Sequence, residues 1–148
     1  MGLLDLADRS WPILNRVFGV HTGLYRLSGG LVGHRFPGAP PMLLLEHVGA
    51  RTRTVRTTPL AYAEDGVNLV LVASKGGHPK HPAWYHNLVA HPEVTVQVGR
   101  ERRAVRARVA SPEERGRLWR IATAAYPGFD TYQARTERQI PVVVLEPR

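Results

Sequence analysis

No cysteine occurs in the chain, so disulfides and thiolate catalysis are excluded and a reducing interior is permitted. Lysine is scarce too. Lys75 and Lys80 are the only two, and arginine supplies nearly all the positive charge behind the formal +8. No apolar run reaches the roughly 18 residues that a membrane-spanning helix needs. The opening MGLLDLADRSW has acidic residues inside its apolar stretch and no cleavage-type ending, so a secretory signal is not expected. Repeats and low-complexity tails are missing as well. What is left is 148 residues, 43% hydrophobic and 22% charged, which reads as one globular domain with a real core. The expected location is the cytoplasm.

Arginine's planar fork suits carboxylate and phosphate oxygens. The charge therefore admits an anionic ligand, a nucleic acid or an acidic membrane face, with a merely solvated arginine-rich surface as the bland alternative. Residues 1–28 are expected to form an N-terminal amphipathic helical segment, broken by Pro12, with Ser10 as N-cap. Trp11, Leu14, Val17, Phe18 and His21 recur at helical spacing on one face. That face is expected to pack on the domain's own core or, across residues 3–28, on the inner surface of a membrane.

Gly29, Gly30 and Gly33 break the pattern, and GGLVG lacks the strand and helix that a dinucleotide fingerprint requires. Strands are expected at Met42–His47, Thr57–Ala63, Val67–Ala73, Val94–Val98, Arg102–Val109 and Pro141–Leu145. Asp65-Gly66 and Gly99-Arg100 mark hairpins. A short helix fits Pro82–His91, a longer one opens at Ser111-Pro112-Glu113-Glu114 and runs to about Ala125, and Gly128–Arg138 is loop or short helix. Hairpins dominate this order. It predicts a mainly antiparallel sheet closed into a small barrel with flanking helices, an α+β fold.

The stretch Ala73–Val98 concentrates the chemistry. A basic glycine-broken turn (Ser74, Lys75, Gly76, Gly77) precedes a short helix bearing Trp84, Tyr85 and Asn87. Glycines let backbone N–H groups approach an anion, and the arginine turn Arg51–Arg56 can be carried near by the intervening hairpin. No metal is expected: His81, His86 and His91 step by five, placing successive rings about 140° apart on a helix, and no carboxylate completes a set. Ser74 has no evident base, so hydrolysis is not expected either.

Several runs resemble the deazaflavin-dependent nitroreductase family. They are S-K-G-G (Ser74–Gly77), P-A-W-Y-H-N-L (Pro82–Leu88), H-P-E-V (His91–Val94), R-T-x-P-L (Arg56–Leu60) and Y-Q-A-R-T-x-R-x-I-P-V-V-V-L-x-P (Tyr132–Pro147). The resemblance covers the chain from about Tyr25 onward. It implies that residues 1–148 form a single antiparallel split β-barrel of the FMN-binding-like type. It further implies coenzyme F-420, an 8-hydroxy-5-deazaflavin with a phosphate and a polyglutamate tail, whose reduced form delivers hydride to a quinone-like acceptor. FMN is the alternative cofactor. Carried over by position, Arg51, Thr52, Arg56, Lys75, Gly76 and Gly77 would hold phosphate and tail, while Pro59, Ser74, Trp84 and Asn87 would border the deazaflavin. Ser74, Tyr126 or Tyr132 would serve the acceptor oxygen.

The chain also departs from that family. Relatives read G-R-x-S-G-x-x-R where this chain has G-A-R-T-R-T-V-R, so Ala50 and Arg53 replace a basic residue and a glycine. Phe129 stands where a quinone-reducing relative has tyrosine, and Ala61 replaces an aromatic near the ring. A wider pocket with fewer hydroxyl donors is expected, and nitroimidazole activation is not. A cofactor carrier without turnover is one alternative. A nucleic-acid-binding domain is another, but the Arg100–Arg108 run alternates with Val105, Ala107 and Val109 like a strand with one solvated face, away from the aromatics. No nucleic-acid partner is expected, and the oligomeric state is left open.

Overall fold

The structure, a computed structural model, describes residues 40–148 and Thr22; the expectations for the helical segment 1–28 and its membrane contact lie outside the described residues. Seven strands follow, β1 (Met42–Val48), β2 (Val55–Ala61), β3 (Ala63–Asp65), β4 (Asn68–Val72), β5 (Glu93–Val98), β6 (Glu101–Val109) and β7 (Val142–Pro147). Three helices, α1 (Ala83–Ala90), α2 (Pro112–Ala125) and α3 (Gly128–Ala134), and a 3-10 turn at Lys75–Gly77 complete the set within residues 40–148. All strand pairs are antiparallel, in the order β2-β1-β5-β6-β7-β4-β3.

That order dictates closure. β2 and β3 lie at opposite edges of the sheet, yet Tyr62 alone separates them in sequence. One residue spans less than about 4 Å, so the sheet must curl until its edges meet. The sequence pattern predicts one strand over Thr57–Ala63; the structure has two, because the chain leaves β1 after the Met42–Ala61 pair and joins β4 at the Ala63–Val70 pair. The buried Tyr62 makes the corner, its N–H donating to the Pro41 carbonyl at 3.1 Å.

The apolar runs of β4 and β7 face two cores at once. Leu69, Leu71, Val143 and Leu145 point into the barrel with Leu43, Leu45, Trp84 and Val96. Their alternates Val70, Val142 and Val144 pack under Leu118 of α2. Period-two alternation buries both faces only because a helix covers the outer one. Helix α2 starts on a capping box: the Ser111 N–H donates to Glu114 Oε1 at 2.9 Å, with Pro112 at the first helical position. On β6, Arg102 pairs with Glu46, Arg103 with Glu101, and Arg108 with both Glu114 and Glu146. These exposed pairs contribute little stability each. No helix of the described residues is long and apolar enough to cross a membrane.

Candidate cofactor and acceptor site

Between β4 and α1 the chain makes a turn of unusual backbone. Lys75 (φ 44°), Gly76 (φ 62°) and Gly77 (φ 83°) are consecutively left-handed. For the glycines this is free, whereas Lys75 pays roughly 1–2 kcal/mol. The turn closes through Gly77 N to the Ser74 carbonyl at 2.9 Å and His78 N to the Lys75 carbonyl at 3.1 Å. Ser74 itself is buried.

Helix α3 sits directly on this turn. A Cβ at Gly77 would lie 2.6 Å from the Tyr132 carbonyl oxygen and 2.9 Å from Arg135 Cβ. Glycine is therefore required there twice, for its φ and for the close approach of a helix. Arg135 donates to the Gly76 carbonyl at 3.4 Å and lies over the Tyr132 ring, 5.5 Å from its centroid.

Beside the turn, Val72, Ala122, Phe129 and Ile140 form an apolar cluster, with Ala61, Tyr126 and Tyr132 packed against it. The four residues that the sequence singles out for acceptor choice, Ala61, Tyr126, Phe129 and Tyr132, thus stand together. The Tyr126 and Tyr132 hydroxyls are 3.1 Å apart. That hydrogen bond first, and burial second, push the Tyr132 pKa up to about 12. Its hydroxyl keeps its proton throughout the neutral range.

The arginine turn at the end of β1 lies against α1. Asn87, buried, accepts from the Ala50 N–H at 2.9 Å and donates through Nδ2 to His47 Nδ1 at 2.8 Å. His47 Nδ1 is then an acceptor, so Nε2 carries the proton and donates to Thr58 Oγ1 at 2.8 Å. Burial, then the nearby Arg56 charge, hold the His47 pKa down to about 4. Above the turn Arg51, Arg53 and Arg56 are exposed, and none has a carboxylate partner among the described residues. Arg53 adopts the left-handed conformation (φ 56°) at the position where relatives of the quoted motif carry glycine. The backbone shape survives the replacement at a cost of about 1 kcal/mol.

A pH effect follows from His47. Its folded pKa lies below the usual 6.5, so its contribution is complete above about pH 6.5 and fades as pH falls toward 4. The loss is at most about 3 kcal/mol. Melting temperatures between pH 7.5 and 4 should decline, and His47→Gln should flatten most of the slope between 6.5 and 4; an unchanged slope would mean that His47 is not the group titrating.

The predicted residues fall into three sets. Ser74, Lys75, Gly76 and Gly77 form the turn; Tyr132 lies against it on α3, and Tyr126, at the end of α2, meets Tyr132; Arg51, Thr52 and Arg56 stand on the arginine turn, joined to α1 by Asn87. Trp84, 7% exposed, is part of the barrel core, and Pro59 is buried on β2 opposite Leu44. Two residues of the site carry no role in the sequence reading. Arg138 donates to the carbonyls of Ala73, Ser74 and His78 and to His81 Nδ1. Gln133 holds the loop that presents it, donating to the Arg138 carbonyl at 2.8 Å and accepting from the Ile140 N–H at 2.9 Å. Both lie inside the Tyr132–Pro147 motif, which was the available signal.

Residues 17–147 match the family model described as F420H(2)-dependent quinone reductase. The chain belongs to that family. An F420H(2)-dependent quinone reductase of Mycobacterium tuberculosis is 48% identical over 132 residues, covering 87% of this chain and 89% of that protein. A counterpart in Mycobacterium bovis matches equally. Among solved structures, an F420-H2-dependent reductase is 42% identical with a TM-score of 0.67, covering 72% of this chain and 94% of its own. A domain-swapped dimer is 34% identical with a TM-score of 0.69, over 94% and 99% respectively. The split-barrel fold agrees with these neighbours. As a member of the F420H(2)-dependent quinone reductase family, the chain is an oxidoreductase with coenzyme F-420 as its cofactor.

Proposed function

We propose that this protein passes hydride from reduced coenzyme F-420 to a quinone-like acceptor at the junction of the Ser74–Gly77 turn and helix α3. The observation that carries the placement is the contact at Gly77, because it sets a left-handed, basic turn against the helix bearing Tyr132. When bound, reduced F-420 supplies the hydride; the protein's part is to hold, orient and screen.

The residues present suit such a cofactor. An anionic tail needs positive charge not already neutralised, and Arg51 and Arg56, with Thr52 between them, stand on a turn free of carboxylate partners among the described residues. Lys75, Gly76 and Gly77 add an ammonium and a glycine backbone on which phosphate or carboxylate oxygens can rest. Ser74 and Pro59 border the deazaflavin. Trp84 and Asn87 serve it from beneath, the first as floor of the barrel core and the second by fixing the arginine turn through Ala50.

On the acceptor side, charge arriving on a quinone oxygen is stabilised by a hydrogen-bond donor. Tyr126 and Tyr132 form a hydrogen-bonded hydroxyl pair, and Tyr132 retains its proton at neutral pH. Ser74 is the third candidate. The small Ala61 packs against the same cluster and brings no aromatic ring to that side. Contact of residues 3–28 with a membrane surface, where lipid-soluble quinones reside, is part of this proposal.

Fluorescence titration with oxidised F-420 tests the cofactor side. Losing a charge-assisted bond should weaken binding by Lys75→Ala about 10- to 100-fold. Reduced F-420 with menadione should be oxidised by the wild type. Tighter binding of FMN would overturn the cofactor assignment, and binding without turnover of any quinone would leave a carrier rather than a reductase.

A further inference from the structure

Two backbone hydrogen bonds close the left-handed run Lys75–Gly77, from Gly77 N to the Ser74 carbonyl and from His78 N to the Lys75 carbonyl. Its two ends are also gathered by one side chain. Arg138 sends Nε to the His78 carbonyl at 2.8 Å and Nη2 to the Ser74 carbonyl at 2.8 Å. Its Nη1 reaches the Ala73 carbonyl at 3.2 Å and His81 Nδ1 at 2.9 Å. Two acceptors precede the turn and two follow it. No carboxylate pairs with Arg138 among the described residues, so its charge faces only neutral acceptors.

We propose that Arg138 is the positioning residue that shapes the Ser74–Gly77 turn for the anionic part of F-420, with neutral His81 as its required fourth acceptor. This rests on the F-420 reading above. Only a planar fork can span acceptors on both sides of a turn; a lysine ammonium donates from one point. Arg138 therefore acts through the turn's backbone and its field rather than by touching the ligand.

His81 makes the arrangement sensitive to pH. Accepting from Arg138 requires an unprotonated Nδ1. Protonation removes that lone pair and sets a second positive charge beside the guanidinium. The groups facing His81 are Arg138 and the rings of Tyr85 and His86 from α1; Lys80 precedes it in the chain, its N–H donating to His78 Nδ1. Burial first, then Arg138 and His86, hold its pKa below the ordinary value. F-420 affinity should thus fall as pH drops below about 6.5. His81→Asn supplies an acceptor that does not titrate.

The experiment combines fluorescence titration with oxidised F-420 from about pH 5 to 8 with amide hydrogen exchange over residues 73–81 in the absence of cofactor. Wild type, Arg138→Lys and His81→Asn are compared, with thermal melts to confirm folding. Arg138→Lys should weaken F-420 binding about 10- to 100-fold, raise KM for F-420 more than it lowers kcat, and speed exchange of the turn amides. His81→Asn should lose the acid-side weakening, its affinity at pH 5 matching its own affinity at pH 7.5. A folded Arg138→Lys with wild-type exchange and wild-type affinity would overturn the proposal. An unchanged pH profile in His81→Asn would overturn the part assigned to His81. Failure of the wild type to bind F-420 at all would instead overturn the cofactor reading, and the exchange of the turn would then decide alone whether Arg138 shapes it.

Discussion

Gly77→Ala is expected to lower stability by roughly 2–4 kcal/mol and to weaken F-420 binding more than about 100-fold. Two costs add. The residue sits at φ 83°, a conformation that costs an L side chain about 1 kcal/mol or more. The new methyl would also press to 2.6 Å from the Tyr132 carbonyl and 2.9 Å from Arg135 Cβ, so α3 must lift away from the turn. Gly76→Ala is the control: φ is 62° there, but a Cβ meets nothing within 4 Å. It should pay the conformational cost alone. At about 2–4 °C per kcal/mol, Gly77→Ala should melt about 5–15 °C below wild type and well below Gly76→Ala. Equal melting of the two variants would show that the seat of α3 on the turn matters little. Because α3 carries Tyr132, the binding loss should come with a loss of quinone reduction beyond what restored cofactor saturation recovers.

Asn87→Leu is expected to be the next most damaging change, at roughly 1–3 kcal/mol, because it leaves the buried His47 Nδ1 without its donor. The N–H of the exposed Ala50 loses its partner too, but water can replace it. The substitution also frees the arginine turn from α1, so F-420 affinity should drop although no ligand contact was removed. Asn87→Asp separates the two effects. A carboxylate can still accept from Ala50, but its other oxygen then faces the His47 lone pair. Relief comes only when His47 takes a proton, which lifts its pKa from about 4. This variant should be weakest at high pH and regain stability as pH falls, opposite to wild type over the same window. Imidazole carbon shifts measured by NMR against pH would read the change; a His47 that still titrates near 4 in Asn87→Asp would refute the link.

Much of this architecture is local and was readable. Continuous apolar runs mark β4 and β7, Gly66 and Gly99 mark the β3–β4 and β5–β6 hairpins with the positive φ that such turns need, and Ser111-Pro112 opens α2. The turn chemistry of Ser74–Gly77 was equally visible, since glycine pairs beside a lysine announce both backbone freedom and charge. Less was readable where one stretch serves two partners. Thr57–Ala63 looks like one strand because nothing at Tyr62 interrupts the pattern; only the change of pairing partner from β1 to β4 divides it.

The amino-acid sequence by itself determined the strand and helix periods, the left-handed glycine positions, the excess of arginine and the motifs that place the chain in its family. These follow from residues within a few positions of one another. Only the tertiary structure decided which side chains meet. Asn87 reaches Ala50 across 37 positions, and Arg138 reaches Ser74 across 64. Neither distance is encoded in spacing; both exist because a seven-stranded sheet whose edge strands are one residue apart must curl shut and bring its loops to a common end.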